Sequence, residues 1–346
     1  MVALGIALAV LGIRLLPNAA GAKVTPVSLN PNPPKFLIVS APSEGKVSYL
    51  RIHESAEGKG RPKGRNTMKT LIDRGLVHPQ GLAVDQKARK LYVADPDSRR
   101  IMSYALHSDK NALRVGSPNV LVEGVEARWI AVDDDGNALF TNEVRNQIMK
   151  VPNAGALRGN ATIKVVYDGA SMLQVSAPGG LAIDSFHTFW VNKQIGSQAG
   201  SVVRAARSLA ESTTADVQPL ATNLEKSYGI CIAVNNVFFT QPETTVYGIK
   251  TTGGSVVPVS DRFTNPRGCV FDGDGTVFVA DRGANAVYSF AGSMLELGTV
   301  QISKVVDFQD AYGTAIFSAA VPRTGRGAFV AVAALLAWQL RTWIGQ

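Results

Sequence analysis

Residues 78 to 95 read His78-Pro79-Gln80-Gly81-Leu82-Ala83-Val84-Asp85, then, after a polar turn, Leu91-Tyr92-Val93-Ala94-Asp95. A second turn leads into Arg100-Ile101-Met102-Ser103-Tyr104. Short runs rich in β-branched and aromatic residues, punctuated by Gly, Pro, Asp and Ser, predict antiparallel strands joined by tight turns. The phrase recurs as Asn265-Pro266-Arg267-Gly268-Cys269-Val270-Phe271-Asp272, Val277-Phe278-Val279-Ala280-Asp281 and Ala286-Val287-Tyr288-Ser289-Phe290. Weaker copies begin at Ala127-Arg128-Trp129-Ile130, Pro178-Gly179-Gly180-Leu181 and Ser227-Tyr228-Gly229-Ile230. With Gly81 as marker, its equivalents are Trp129, Gly180, Gly229, Gly268 and Gly313, at intervals of 48, 51, 49, 39 and 45 residues. That period suits a four-stranded blade repeated around a ring.

The sixth marker settles how the ring closes. Ala311-Tyr312-Gly313-Thr314-Ala315-Ile316-Phe317 supplies a first strand with no second or third after it. Lys35-Phe36-Leu37-Ile38-Val39-Ser40 and Lys46-Val47-Ser48-Tyr49-Leu50 supply a second and third with no first before them. Joining the two completes one blade and removes the open sheet edges that would template aggregation. The expected fold is therefore all-β, a six-bladed β-propeller over residues 35–317 closed by its own terminal strands.

Composition agrees with a packed β domain. Hydrophobic residues make up 46% of the 346 and charged residues 18%, far from a disordered balance. The net charge of +8 is partly terminal, because Arg14, Arg323, Arg326 and Arg341 lie in segments without a carboxylate. The surplus left on the body is modest, so nucleic acid is not the expected partner. Residues 1–22 form an apolar run ending in small residues, with Ala20 and Ala22 in an A-x-A arrangement, and read as a signal peptide. No positive charge precedes the run, which leaves an uncleaved anchor or organelle presequence as alternatives. Residues 23–34 are a Pro/Asn-rich lead-in. Within 318–346, small residues at Ser318, Ala319 and Ala320 precede an apolar tail from Gly327 to Leu340, which is short of a bilayer span. The pattern suits a lipid-anchor signal, membrane attachment of another kind, or a surface helix. Asn160-Ala161-Thr162 is an acceptor pattern for glycosylation. Together these features predict the secretory pathway, with an extracellular or membrane-anchored product.

The phrase P-x-G-(apolar)-A-V-D followed by Y-V-A-D resembles the NHL repeat. It is similar more broadly to the superfamily of gluconolactonase-type and strictosidine-synthase-type propellers. The resemblance covers about 280 residues and is strongest in the copies at Gly81 and Gly268. It implies that the first strand of each blade lines a central channel, so two rings of residues open at one mouth. The second-strand ends are Ser40, Asp95, Asn142, Asn192, Gln241 and Asp281. The positions before each marker are Gln80, Arg128, Gly179, Tyr228, Arg267 and Tyr312.

The first ring is polar throughout, but Asp95 and Asp281 precede turn sequences where a short acceptor caps backbone N–H groups. Hydrolytic members of the superfamily hold a divalent cation with Glu, Asn and Asp, some of them just before the marker. Here that position carries neither a carboxylate nor Asn, and Arg128 and Arg267 would repel a cation. Asp133-Asp134-Asp135-Gly136-Asn137 and Asp272-Gly273-Asp274-Gly275 resemble pieces of calcium loops. Both lack the closing Glu and read as hairpin turns. No cofactor is expected, calcium being the one cation these turns bring to mind. The four histidines, His53, His78, His107 and His187, have no metal-ligand spacing; His78, at a channel mouth, is the one with a candidate role.

The second ring offers Arg128, Trp129, Tyr228, Arg267 and Tyr312, with Gln80 and His78 beside them. Arginine forks and aromatic faces suit a protein, an acidic peptide, a carboxylate or a sugar. The expected function is a binding scaffold acting through this mouth. The alternatives are a hydrolase or lyase with a rearranged site, and an RNA-binding NHL module using the basic loop Glu54–Asn66. Cys231 and Cys269 lie in the first strands of consecutive blades, which leaves open a disulfide or two buried thiols.

Overall fold

The computed structural model describes residues 33–52, 67–109, 111–157, 161–194, 200–207 and 217–319. The signal-peptide segment, His53, the basic loop, Asn160 and the tail from 320 onward lie outside the described residues.

The described residues form six antiparallel sheets. Blade one joins Thr314–Ser318 to Lys35–Ala41, Lys46–Ile52 and Lys69–Ile72. Blade two contains Leu82–Asp85, Lys90–Asp95, Arg100–Ser108 and Asn119–Glu123. Blade three contains Ala127–Val132, Ala138–Asn142, Gln147–Val151 and Lys164–Asp168. Blades four, five and six begin at Pro178–Ile183, Ile230–Ala233 and Pro266–Phe271, each with three strands after it. Blade two departs from the four-strand expectation. Its third strand overhangs the sheet, and Leu106–Ser108 pair with an extra strand, Leu113–Val115.

Closure follows the expected route. Lys35–Ala41 pairs on one side with its hairpin partner and on the other with the last described strand, Phe36 opposite Phe317 and Leu37 opposite Ile316. Packing says the same independently. The core falls into six clusters, each drawn from two neighbouring blades. An open row of six sheets would have five such interfaces. The sixth sets Leu37 and Val39 of blade one against Phe278, Ala280 and Val287 of blade six.

Middle strands are buried on both faces because each blade is flanked by two others. Leu91, Tyr92, Val93, Ala94 and Asp95 are all buried, as are Val277 to Asp281. This explains why the second-strand runs are continuously apolar rather than alternating. Full burial of such a side chain stabilises by about 1.5–3 kcal/mol. The fourth strands form the outer rim and carry exposed residues, as at Lys69 and Thr70 of Lys69–Ile72.

Candidate channel-mouth site

The inner strands begin at one end of the ring, and the second strands finish there. Marker residues bring the inner strands into contact. Gly81 N–H donates to Arg128 O at 2.9 Å, Gly180 N–H to Tyr228 O at 2.6 Å and Gly268 N–H to Tyr312 O at 2.8 Å. Two other steps pass through hydroxyls. Gly229 N–H donates to Thr240 Oγ1, which donates to Arg267 O at 2.7 Å. Gly313 N–H donates to Ser40 Oγ, which donates to Gln80 O at 2.6 Å. This lacing holds the residues before the markers at fixed places around the channel.

There they line a cavity of about 390 Å³. Its walls include Gln80, Arg128, Tyr228, Arg267 and Tyr312 from the predicted ring, together with His78. Gly179 contributes no side chain. Trp129 is not at the cavity wall. It is buried and stacks on Tyr312, ring centroids 5.5 Å apart and planes 26° from parallel. His78 points a ring nitrogen towards Asp97 at 3.9 Å.

The six predicted second-strand ends are also absent from the wall, for a physical reason: at least five are committed to the backbone, and Ser40 sits one residue short of its strand's end, Ala41, opposite the marker Gly313. Asp95 accepts from the N–H groups of Val77 and His78, and Asp281 from those of Thr264, Asn265 and Ala284. Asn192 accepts from Ser176 N–H and donates to Gln174 O and Ser201 Oγ. Asn142 accepts from Arg145 N–H, and Ser40 forms the bonds given above. Gln241 is buried with the rest. The acidic turns are likewise internal caps: Asp133 accepts from the N–H groups of Asp135 and Asn137, and Asp272 from those of Asp274 and Thr276.

Charge at the wall is unevenly matched. Arg128 makes a 2.7 Å bond to Glu126, and its Nε lies 3.0 Å from Glu143 as an ion pair without hydrogen-bond alignment. Lys193 donates to the same Glu143 at 2.6 Å. Arg282 is bonded to Asp310 at 2.6 Å. Arg267 is different. Its guanidinium lies 3.9 Å from the Tyr228 ring centroid, its one hydrogen bond is a 3.4 Å contact to Pro266 O, and no carboxylate among the described residues comes within ion-pair distance. Burial pulls its pKa below the usual value while Tyr312 and Tyr228 pull it back up. Arginine nevertheless stays charged in proteins. Burial also lowers the pKa of Lys193, against the attraction of Glu143, and raises that of Tyr312, against Arg267. Such a half-desolvated guanidinium on an aromatic face has more to gain from an incoming anion than one in open water.

Glu143, Lys193 and Arg282 were missed by sequence reasoning. Each immediately follows a second-strand end, so inspecting one place further along each blade would have found them. The two cysteines form a disulfide, with Cα atoms 5.6 Å apart. It joins the inner strands of blades five and six, three residues beyond Tyr228 and two beyond Arg267.

Fold and cavity together define a six-bladed β-propeller with a cationic cup at one end of its channel. No known family model matches the chain, and no curated protein matches it either. Solved structures do. A chain from a nidogen/laminin complex superposes with a TM-score of 0.61 at 16% identity, covering 82% of this chain and 98% of that one. A putative 6-phosphogluconolactonase from Bacteroides fragilis gives 0.55 at 11% identity over 84% and 99% of the two chains. A gluconolactonase from Xanthomonas campestris gives 0.52 at 15% identity over 82% and 87%. The fold is thus the one shared by NHL-type and gluconolactonase-like propellers, which include both binding proteins and enzymes.

Proposed function

We propose that this propeller is a binding module whose channel mouth captures an anionic group on its partner, with Arg267 as the anchor. The observation that carries the proposal is the inequality among the cations. Arg128, Lys193 and Arg282 each have a carboxylate, whereas Arg267 has an aromatic platform and none among the described residues. A partly desolvated cation at a concave wall, only partly compensated by its aromatic platform, gains from a ligand anion. Arginine and tyrosine in a partly desolvated pocket are also the residue types that dominate recognition energy. The neighbour solved as a nidogen/laminin complex supports reading a propeller of this fold as a module for protein partners.

Calorimetry with poly-L-glutamate at low salt tests this directly. Wild-type protein should bind the polyanion, with Arg267→Gln weakening it by about tenfold or more and added salt weakening it progressively. The variant's thermal melting should remain close to wild type, since Arg267 makes no ion pair to lose. An affinity indifferent to Arg267→Gln would remove the proposal.

A further inference from the structure

The cup has a second unmet demand. Gln80 is 5% exposed and lines the cavity, yet its Oε1 accepts from no protein group among the described residues. A buried amide oxygen left without a partner on a wall residue calls for a donor. Gln80 belongs to blade two and Arg267 to blade six, with Tyr312 of blade one between them. A ligand serving both therefore presents an anion at one side of Tyr312 and an N–H or O–H at the other.

The rim adds a feature that a small anion would not use. Among the described residues, six of the seven large apolar side chains left exposed divide by face, the seventh, Val165, lying in the outer strand of blade three. Phe186, Val234 and Leu295 lie in the turns at the far end of the ring, between first and second or third and fourth strands. Val77, Val144 and Leu173 lie on the mouth face, 60%, 69% and 96% exposed. Val77 immediately precedes His78 and bonds through its N–H to Asp95; Val144 follows Glu143; Leu173 precedes Gln174, whose carbonyl accepts from Trp190 and Asn192. His78 and Glu143 are themselves wall residues. The three apolar positions thus belong to consecutive blades two to four, on the opposite side of the mouth from Arg267.

We propose that the occupant is an acidic peptide segment of a partner protein, laid across the mouth. This rests on the reading of Arg267 given above and goes further. An Asp or Glu carboxylate pairs with Arg267, a peptide N–H satisfies Gln80 Oε1, and apolar flanking residues cover Val77, Val144 and Leu173. Main-chain donors come with any peptide, and a chain reaches an anchor and a rim that a single small ion cannot touch together. Charge complementarity selects the acid, because two wall cations, Arg267 on its aromatic platform and the exposed Lys226, have no carboxylate within ion-pair distance among the described residues.

Selection of phage-displayed random 12-residue peptides on the folded, oxidised full chain tests the proposal, run in parallel on Arg267→Gln, Gln80→Leu and Leu173→Ser. Thermal melting first confirms that each variant folds. The expected result is a consensus with one Asp or Glu and a nearby Leu, Ile or Phe. Its synthetic peptide should lose about tenfold or more in affinity on Arg267→Gln and several-fold on Gln80→Leu and Leu173→Ser. N-acetyl-aspartate amide, as the small-anion control, should bind far more weakly and ignore Leu173→Ser. A consensus without an acid, its persistence on Arg267→Gln, or no consensus at all overturns the peptide proposal. If N-acetyl-aspartate amide binds through Arg267 while no peptide is selected, the anion reading stands and the peptide extension falls.

Discussion

Arg128 and Arg267 occupy the same place in their blades, one residue before the marker, yet they meet different fates. Glu126 lies two residues from Arg128 in the chain, and Glu143 arrives from the end of the next strand. Arg267 has Pro266 and Gly268 as neighbours and meets Tyr228 instead. Proximity in sequence foreshadowed the first pairing, and nothing in the sequence marked the second. Residue-scale burial also sets a pH response. Tyr104 is buried at the blade two interface, and desolvation, aided by the charge of Asp95, pushes its pKa from 10.0 up to about 12. Below pH of about 10 both folded and unfolded chains keep the proton, and this group contributes no pH dependence. Above it the unfolded chain ionises first, so stability falls until the folded tyrosine also ionises near 12. Tyr104→Phe should flatten the decline of the urea midpoint between those pH values. An equally steep decline in the variant would show that another group is responsible.

At the scale of the strands, the repeat phrase has a mechanical meaning. A Cβ on Gly229 or Gly313 would lie 2.0 Å from a carbonyl oxygen of the adjoining blade, that of Arg267 or Gln80. Glycine is required there because inner strands touch backbone to backbone, and this is why the marker was legible. The hydroxyl relays were not, since Thr240 and Ser40 look like ordinary strand residues until two blades are set side by side. They make a contrast with Thr141, which occupies the equivalent place in blade three. There Trp129 replaces the marker glycine, and the Thr141 hydroxyl is buried without a hydrogen-bond partner among the described residues. Thr240→Val should therefore cost about 1–3 kcal/mol by stranding Gly229 N–H and Arg267 O, whereas Thr141→Val should be nearly neutral. Urea denaturation of the two variants decides it; equal losses would mean that the relay is not what Thr240 contributes.

Over the whole molecule, stability depends on the ring being shut. Phe317 comes from the last described strand, is fully buried, and stacks on Phe36 from the first at 6.4 Å, with Arg89 of blade two 4.8 Å from its ring. Phe317→Ala should lose about 3–5 kcal/mol, a buried aromatic removed from the interface that joins the ends of the chain. Calorimetric melting is the measurement. A loss well below that range would mean that the closing blade contributes little to holding the wheel together. The disulfide acts at another interface of the ring, tying the inner strands of blades five and six. Cross-links of this kind typically contribute about 2–4 kcal/mol, and here the link lies directly beneath Tyr228 and Arg267.

Blade number and the shared terminal blade were determined by the sequence, because each depends on local periodicity and on glycine at the points of backbone contact, whereas the extra strand of blade two was not. The resemblance to known propellers put two rings at the mouth, and of these the positions before the markers supply Gln80, Arg128, Tyr228, Arg267 and Tyr312 to the cavity wall. Only tertiary structure decided which cations at the mouth are neutralised, since Glu143 serves Arg128 and Lys193 from different blades. It also decided that the polar second-strand ends turn to backbone N–H groups rather than to the cavity. Charge pairing across blades is a matter of angstroms between segments tens of residues apart, and no periodicity in one dimension encodes it.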